Sequence, residues 1–223
     1  MRSRSTWGAA AVPATLGTVL LALVAVAWAP LVTADRRISD ALHRVAGDEP
    51  GLTEVVRILS DWVWDPVTLR LVTAAVVLAL LSRGRQFDAG WLAAVCGLGW
   101  VAQFLLKTAV ERARPVFREP IATADYWSFP SGHVMTATVI LGALLLVPST
   151  TGASKRRMLW TLAVLSMVGV GFTRVHLGVH WPTDVLAGWL FGAAVLTACV
   201  AWRPASGWRP TERPVPRSAA PPP

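Results

Sequence analysis

Charge is scarce in this 223-residue sequence: 15% of its residues are Asp, Glu, Lys or Arg, against 54% hydrophobic ones. With a mean hydropathy of +0.50, too little polar surface is available to cover a water-soluble globule of this length. Cysteine is nearly absent. Cys96 and Cys199 lie inside apolar runs with no paired spacing and no CxxC, so they read as packing residues and say nothing about redox compartment. Acidic residues are short as well, 13 against 21 Lys and Arg, for a net charge of +8. Nucleic-acid binding does not follow from that excess, because the basic residues are dispersed between apolar runs and form no continuous stripe. No internal repeat is visible.

What the sequence has instead is long apolar runs, near the ~20 residues that a bilayer's hydrocarbon core requires, with charges gathered between them. Six stand out: 12–34, 64–82, 88–110, 132–148, 157–176 and 182–202. The expected fold is therefore all-α, a polytopic integral membrane protein with six transmembrane helices. The first run follows "MRSRS" and ends in "LVTAD", which also resembles a signal peptide; its length, more than 20 residues, favours an uncleaved span. One membrane-embedded domain over 1–202 is expected, followed by a Pro/Arg-rich tail, 203–223, that has too few apolar residues to fold and reads as disordered.

Six spans create two alternating sets of connections. One contains Arg2, Arg4, Arg83, Arg85, Lys155 to Arg157 and the tail arginines, eleven basic residues against Asp88 and Glu212. The other contains ten basic and eleven acidic residues. Positive charge is retained in the cytoplasm, so both termini are expected inside, in a cell membrane. The first outer connection, 35–63, places Ile38, Leu42 and Val45 on one helical face, with Trp62 and Trp64 near the next span, and reads as an amphipathic segment at the interface.

With that topology Lys107, His133, Arg174 and His180 meet at the outer membrane face. Any one charged group at a span end can be a snorkelling anchor; the combination of types points to chemistry. Lys107, Arg114 and Arg174 would surround one pocket with positive charge suited to a multiply charged anion such as phosphate. Local pairing of Lys107 with Glu111 and of Arg112 with Glu119 accounts for part of this charge only. In "FPSGH", Ser131 is a natural N-cap and Gly132 permits close backbone approach, so that helix N–H groups face the anion. His133 beside them can protonate a leaving oxygen. In "TRVHLGVHWPTDVLAGW", Pro182 fits a first helical turn, with His180 just before it and Asp184 within it. Asp184 either complements the helix dipole or orients His180, leaving the second imidazole nitrogen free to attack phosphorus. His176, His180 and Asp184 also repeat at four-residue spacing, as metal ligands on one helix would, but Pro182 interrupts such a helix. No metal or cofactor is expected.

These residues resemble the type 2 phosphatidic acid phosphatase (PAP2) superfamily, which includes bacterial acid phosphatases and vanadium haloperoxidases. "KTAVERARP", Lys107 to Pro115, matches K-x6-R-P; "PSGH", Pro130 to His133, matches in full; "TRVHLGVHWPTD", Thr173 to Asp184, matches S-R-x5-H-x3-D with Thr173 in place of serine. The resemblance implies a core helical bundle, metal-independent catalysis and a phosphohistidine intermediate. By position His180 resembles the nucleophile, Asp184 its orienting partner and His133 the acid, while Lys107, Arg114, Ser131, Gly132 and Arg174 match phosphate-binding positions. The expected substrate is a lipid phosphate or diphosphate presented by the bilayer; undecaprenyl diphosphate, phosphatidylglycerol phosphate and phosphatidic acid are the candidates. A lipid head-group phosphotransferase, a vanadate-dependent haloperoxidase and a non-catalytic lipid-binding or transport protein are the alternatives. Oligomeric state is not legible.

Overall fold

The computed structural model describes residues 2–148 and 152–203, with side-chain surroundings from Gly8 onward. The expected tail therefore lies, from residue 204, outside the described residues. Among the described residues eight α-helices run in the order α1 (Arg2–Ala25), α2 (Ala29–Asp48), α3 (Pro50–Ile58), α4 (Pro66–Ser82), α5 (Gln86–Val110), α6 (Gly132–Leu146), α7 (Ala153–His176) and α8 (Pro182–Trp202). A π-helical turn, Leu59–Val63, follows α3, and no strand occurs among the described residues. Among the described residues five stretches are long and apolar enough to cross a membrane: Gly8–Ala25, Pro50–Ser82, Gln86–Val110, Ala153–His176 and Pro182–Trp202. With α6, a shorter apolar helix, they make the six expected segments.

Two boundaries differ from the sequence reading. The first helix stops at Ala25 and not at residue 34, and the chain turns at Ala27 (φ 49°) before α2 begins. Pro30 favours the break: its missing N–H and its ring weaken a helix running through it, although α1 accommodates Pro13, and they suit the first turn of a new one. In the second segment the apolar stretch begins earlier than residue 64, at Pro50, and α4 itself starts at Pro66, where Asp65 accepts hydrogen bonds from the Val67 and Thr68 amides (2.7 and 3.1 Å).

α6 is the axle of the bundle. It packs against α4, α5, α7 and α8, and nine of its fifteen residues are buried, so its all-round apolar sequence faces protein rather than lipid. α8 lies close to it because of a small-residue pair: a Cβ on Gly188 would stand 2.9 Å from the Val134 Cβ, and one on Gly192 2.9 Å from the Thr138 Cβ. α1 packs on the other side of α8. The two cysteines sit in this apolar packing, as expected. At the end of the bundle holding the C-terminus of α8, Asp88 binds Arg85 (2.7 Å) and Arg203, whose guanidinium lies 4.5 Å from the Trp91 ring centroid.

Helix length sets the depth of the opposite end. Fifteen residues make α6 about 22 Å long, short of a hydrocarbon core of about 30 Å. Its first turn lies beside Gln103, whose Nε2 is 2.9 Å from where a Gly132 Cβ would be, seven residues before α5 ends at Val110. The α6 N-terminus is thus sunk about 10 Å below the end of α5. Over it, α2 packs against α7 and α8 and buries Asp35, Ser39 and Ala46, while Ile38 and Val45 of its apolar face remain exposed. That polar-inward arrangement suits a helix lying between lipid and a polar site.

Candidate active site

The C-termini of α5 and α7 and the N-termini of α6 and α8 converge at this recessed end. Gly178 (φ 72°) makes the left-handed turn that closes α7, and His180 follows before Pro182 starts α8. His180 is 2% exposed and Asp184 is fully buried. The imidazole Nδ1 lies 3.4 Å from Asp184 Oδ2, which also accepts from the Trp181 amide at 2.9 Å. On the other side Nε2 lies 3.2 Å from an Arg114 guanidinium nitrogen. Because a guanidinium only donates, Nε2 must be the bare nitrogen and Nδ1 carries the proton toward Asp184. The unprotonated lone pair therefore faces the cation cluster.

Burial, and then the charges of Arg174, Arg114 and Lys107, hold the His180 pKa well below its ordinary 6.5, so the ring is neutral at pH 7. All three cations expected from the sequence thus act on this one imidazole. Arg114 is anchored by donating to the carbonyls of Val179 (2.6 Å), Asp125 (2.8 Å) and Tyr126 (2.9 Å). Burial lowers its own pKa, opposed by Asp184 and Asp125. Lys107 donates to the Trp127 carbonyl, and Arg174 donates to the Ser60 hydroxyl at 2.7 Å. The local pairings weighed for the cations do not form: Lys107 and Glu111 make no ion pair among the described residues, and Arg112 turns to Asp184 (2.6 Å) and Asp35 (2.7 Å).

Ser131 occupies the N-cap of α6, yet its hydroxyl makes no capping bond. Its Oγ, like Arg174 Nε, is a buried polar atom without a protein partner. Such atoms are costly unless satisfied, and here both are donors at the edge of a cationic pocket, as an anion requires. Gly132 begins the helix, and His133 stands one residue further, its Nε2 3.9 Å from Asp65 Oδ1. The Thr173 hydroxyl, which stands where serine was expected, donates to its own helix at Val170 O (2.8 Å). His176 does not line up with His180 and Asp184: α7 ends at it, and its Nε2 is 3.0 Å from the Thr53 hydroxyl of α3. Among the described residues no group of three or more His, Cys, Asp or Glu is placed to hold a metal ion.

Sequence reasoning missed Asp35, Ser60, Asp61, Asp65 and the true partners of Arg112. Asp61 lies 3.8 Å from Arg174, and with Ser60 and Asp65 it brings the α3–α4 connection to the site. For Ser60, Asp61 and Asp65 the stretch "SDWVWDP" was the available signal.

A family model described as the PAP2 superfamily matches residues 88–208. Phosphatidylglycerophosphatase B of Bacillus subtilis is 32% identical over 163 residues, covering 72% of this chain and 78% of that protein. An undecaprenyl-diphosphatase of Sulfolobus acidocaldarius is 30% identical over 139 residues, and the match spans 60% of each chain. A decaprenylphosphoryl-5-phosphoribose phosphatase of Mycobacterium tuberculosis is 30% identical over 160 residues, 70% of this chain and 82% of that one. The crystal structure of a transmembrane PAP2-type phosphatidylglycerolphosphate phosphatase from Bacillus subtilis superposes with a TM-score of 0.77 at 27% identity, over 87% of this chain and 95% of that chain.

Proposed function

The chain belongs to the PAP2 superfamily, a multi-pass membrane protein among relatives that are phosphatases, and on that premise we propose that it hydrolyses a lipid phosphate or diphosphate through a phosphohistidine at His180. The observation that carries this reading is the imidazole held between the Asp184 carboxylate on Nδ1 and the Arg114 guanidinium on Nε2. Nε2 attacks phosphorus in line, and the P–O bond to the lipid breaks. Charge on the equatorial oxygens meets Lys107, Arg114, Arg174, Ser131 Oγ and the first amides of α6, beginning at Gly132. His133 gives its proton to the departing oxygen, then takes one from the water that hydrolyses the phosphohistidine. Asp184 holds the Nδ1–H tautomer throughout. No step calls on a metal ion.

The recessed α6 N-terminus fits a substrate whose head group is drawn to the interface while its tail stays in lipid. Arginine and lysine placement supports cytoplasmic termini and a site on the extracytoplasmic face. Relatives named for undecaprenyl diphosphate and for phosphatidylglycerol phosphate make those two lipids, with phosphatidic acid, the first to test. Purified protein in detergent should release phosphate from one of them with EDTA present, and His180→Ala should abolish that release. Activity that needs an added metal ion, or that survives His180→Ala, contradicts the proposal.

A further inference from the structure

Outside the family-matched region lies Asp35, on α2, a 2%-exposed carboxylate that none of the phosphate-facing groups touches. Its Oδ1 accepts from the Thr183 amide at 3.0 Å, and its Oδ2 accepts from the Thr183 hydroxyl (2.5 Å) and from Arg112 (2.7 Å). Helix α8 needs this. Trp181 holds its N-cap and has no side-chain acceptor, and Pro182 has no N–H, so Thr183 presents the first free amide. Asp35 supplies the missing cap from another helix.

The same guanidinium that binds Asp35 donates through its other terminal nitrogen to Thr183 Oγ1 (2.7 Å) and Asp184 Oδ1 (2.6 Å). Arg112 is itself held: its carbonyl accepts from the Ser128 amide (2.8 Å), and its guanidinium lies 5.6 Å from the Trp181 ring centroid. Two buried carboxylates thus share one cation, and each would be strongly unfavourable alone. The chain of contacts runs from Asp35 through Arg112 to Asp184 and ends at His180 Nδ1.

Resting on the reading of His180 as nucleophile, we propose that Asp35 is a positioning residue for the catalytic histidine, acting through Arg112 and Thr183 on Asp184. Its loss leaves the phosphate-binding cations in place and lets the Asp184 carboxylate drift, and a misplacement near 1 Å costs about 100-fold in rate. Asp35→Asn should therefore lower kcat about 10- to 100-fold while KM and the inhibition constant of vanadate, a phosphate mimic, stay within about threefold. Because the route passes through Asp184, adding Asp35→Asn to Asp184→Asn should lower kcat less than about threefold further, whereas independent structural damage would multiply. Thr183→Val, which removes the bridging hydroxyl and no charge, is the second variant if Asp35→Asn fails to fold; it should lower kcat about three- to tenfold with vanadate inhibition unchanged. The test is steady-state hydrolysis of a short-chain lipid phosphate by the full chain in detergent, with His180→Ala run beside the variants. Unchanged kcat in Asp35→Asn or, where that variant fails to fold, in Thr183→Val overturns the positioning role. So do vanadate inhibition that weakens in step with kcat and losses that multiply with Asp184→Asn. Activity surviving His180→Ala instead removes the nucleophile on which the proposal rests.

Discussion

Asp184→Asn is nearly isosteric, and the geometry fixes what it should do. The carboxylate accepts from Arg112 on Oδ1 (2.6 Å), and from the Trp181 amide (2.9 Å) and His180 Nδ1 (3.4 Å) on Oδ2. An asparagine offers one acceptor and one donor. If its oxygen stays with Arg112, its NH2 faces His180 Nδ1, which then favours the tautomer bearing its proton on Nε2. The lone pair proposed to attack phosphorus is lost. By comparison with Asp-to-Asn changes at other Asp-oriented catalytic histidines, kcat should fall about 10⁴-fold, or about 5.4 kcal/mol at 1.36 kcal/mol per decade. The cations are untouched, so vanadate should still inhibit at its wild-type concentration. Phosphate release in detergent, with vanadate titrated into each variant, measures both quantities. A kcat within tenfold of wild type would refute the tautomer argument, and lost vanadate inhibition would show that the substitution disturbed the pocket.

Three further outcomes follow from single features. His133→Ala should slow the first step, release of an alkoxide leaving group, about 10²- to 10⁴-fold but barely slow the initial burst of p-nitrophenolate from p-nitrophenyl phosphate, whose leaving anion needs no proton; equal losses in that first step on both substrates would remove His133 as the acid. The His180 pKa, lowered by burial and by Arg174, Arg114 and Lys107, means that the unfolded chain takes up this proton first. Its contribution to stability is intact above about pH 6.5 and declines as the pH falls below that, and nitrogen NMR of the ring should show no titration at or above pH 6.5. Gly192→Leu should destabilise the bundle by about 1–3 kcal/mol, read as a lower thermal midpoint in detergent, because its Cβ would stand 2.9 Å from the Thr138 Cβ. Gly97→Leu, with nothing within 4 Å, should leave the midpoint unchanged.

The apolar runs and the three short motifs were legible because each depends on local order. Span length marks a helix, a proline marks its start, and three residues separate His180 from Asp184. Partner choice was not legible. Arg112 has Glu119 seven residues away and pairs with Asp35, 77 residues away, because α2 returns over the site only after Pro30 breaks the first helix. Ser131 read as a capping residue, and its position was right; the free hydroxyl appears only in three dimensions. The depth of the pocket was equally hidden, since it depends on where α6 begins relative to α5 and not on the length of either run.

The central claim is that His180 Nε2 becomes covalently bound to phosphorus. Rapid quenching of turnover with a lipid substrate carrying radiolabelled phosphorus tests it most directly. A phosphoryl label that is labile in acid, stable in base, carried on the peptide containing His180 and absent from His180→Ala is the predicted result. Label on another residue, or phosphate release by His180→Ala at the wild-type rate, would contradict it.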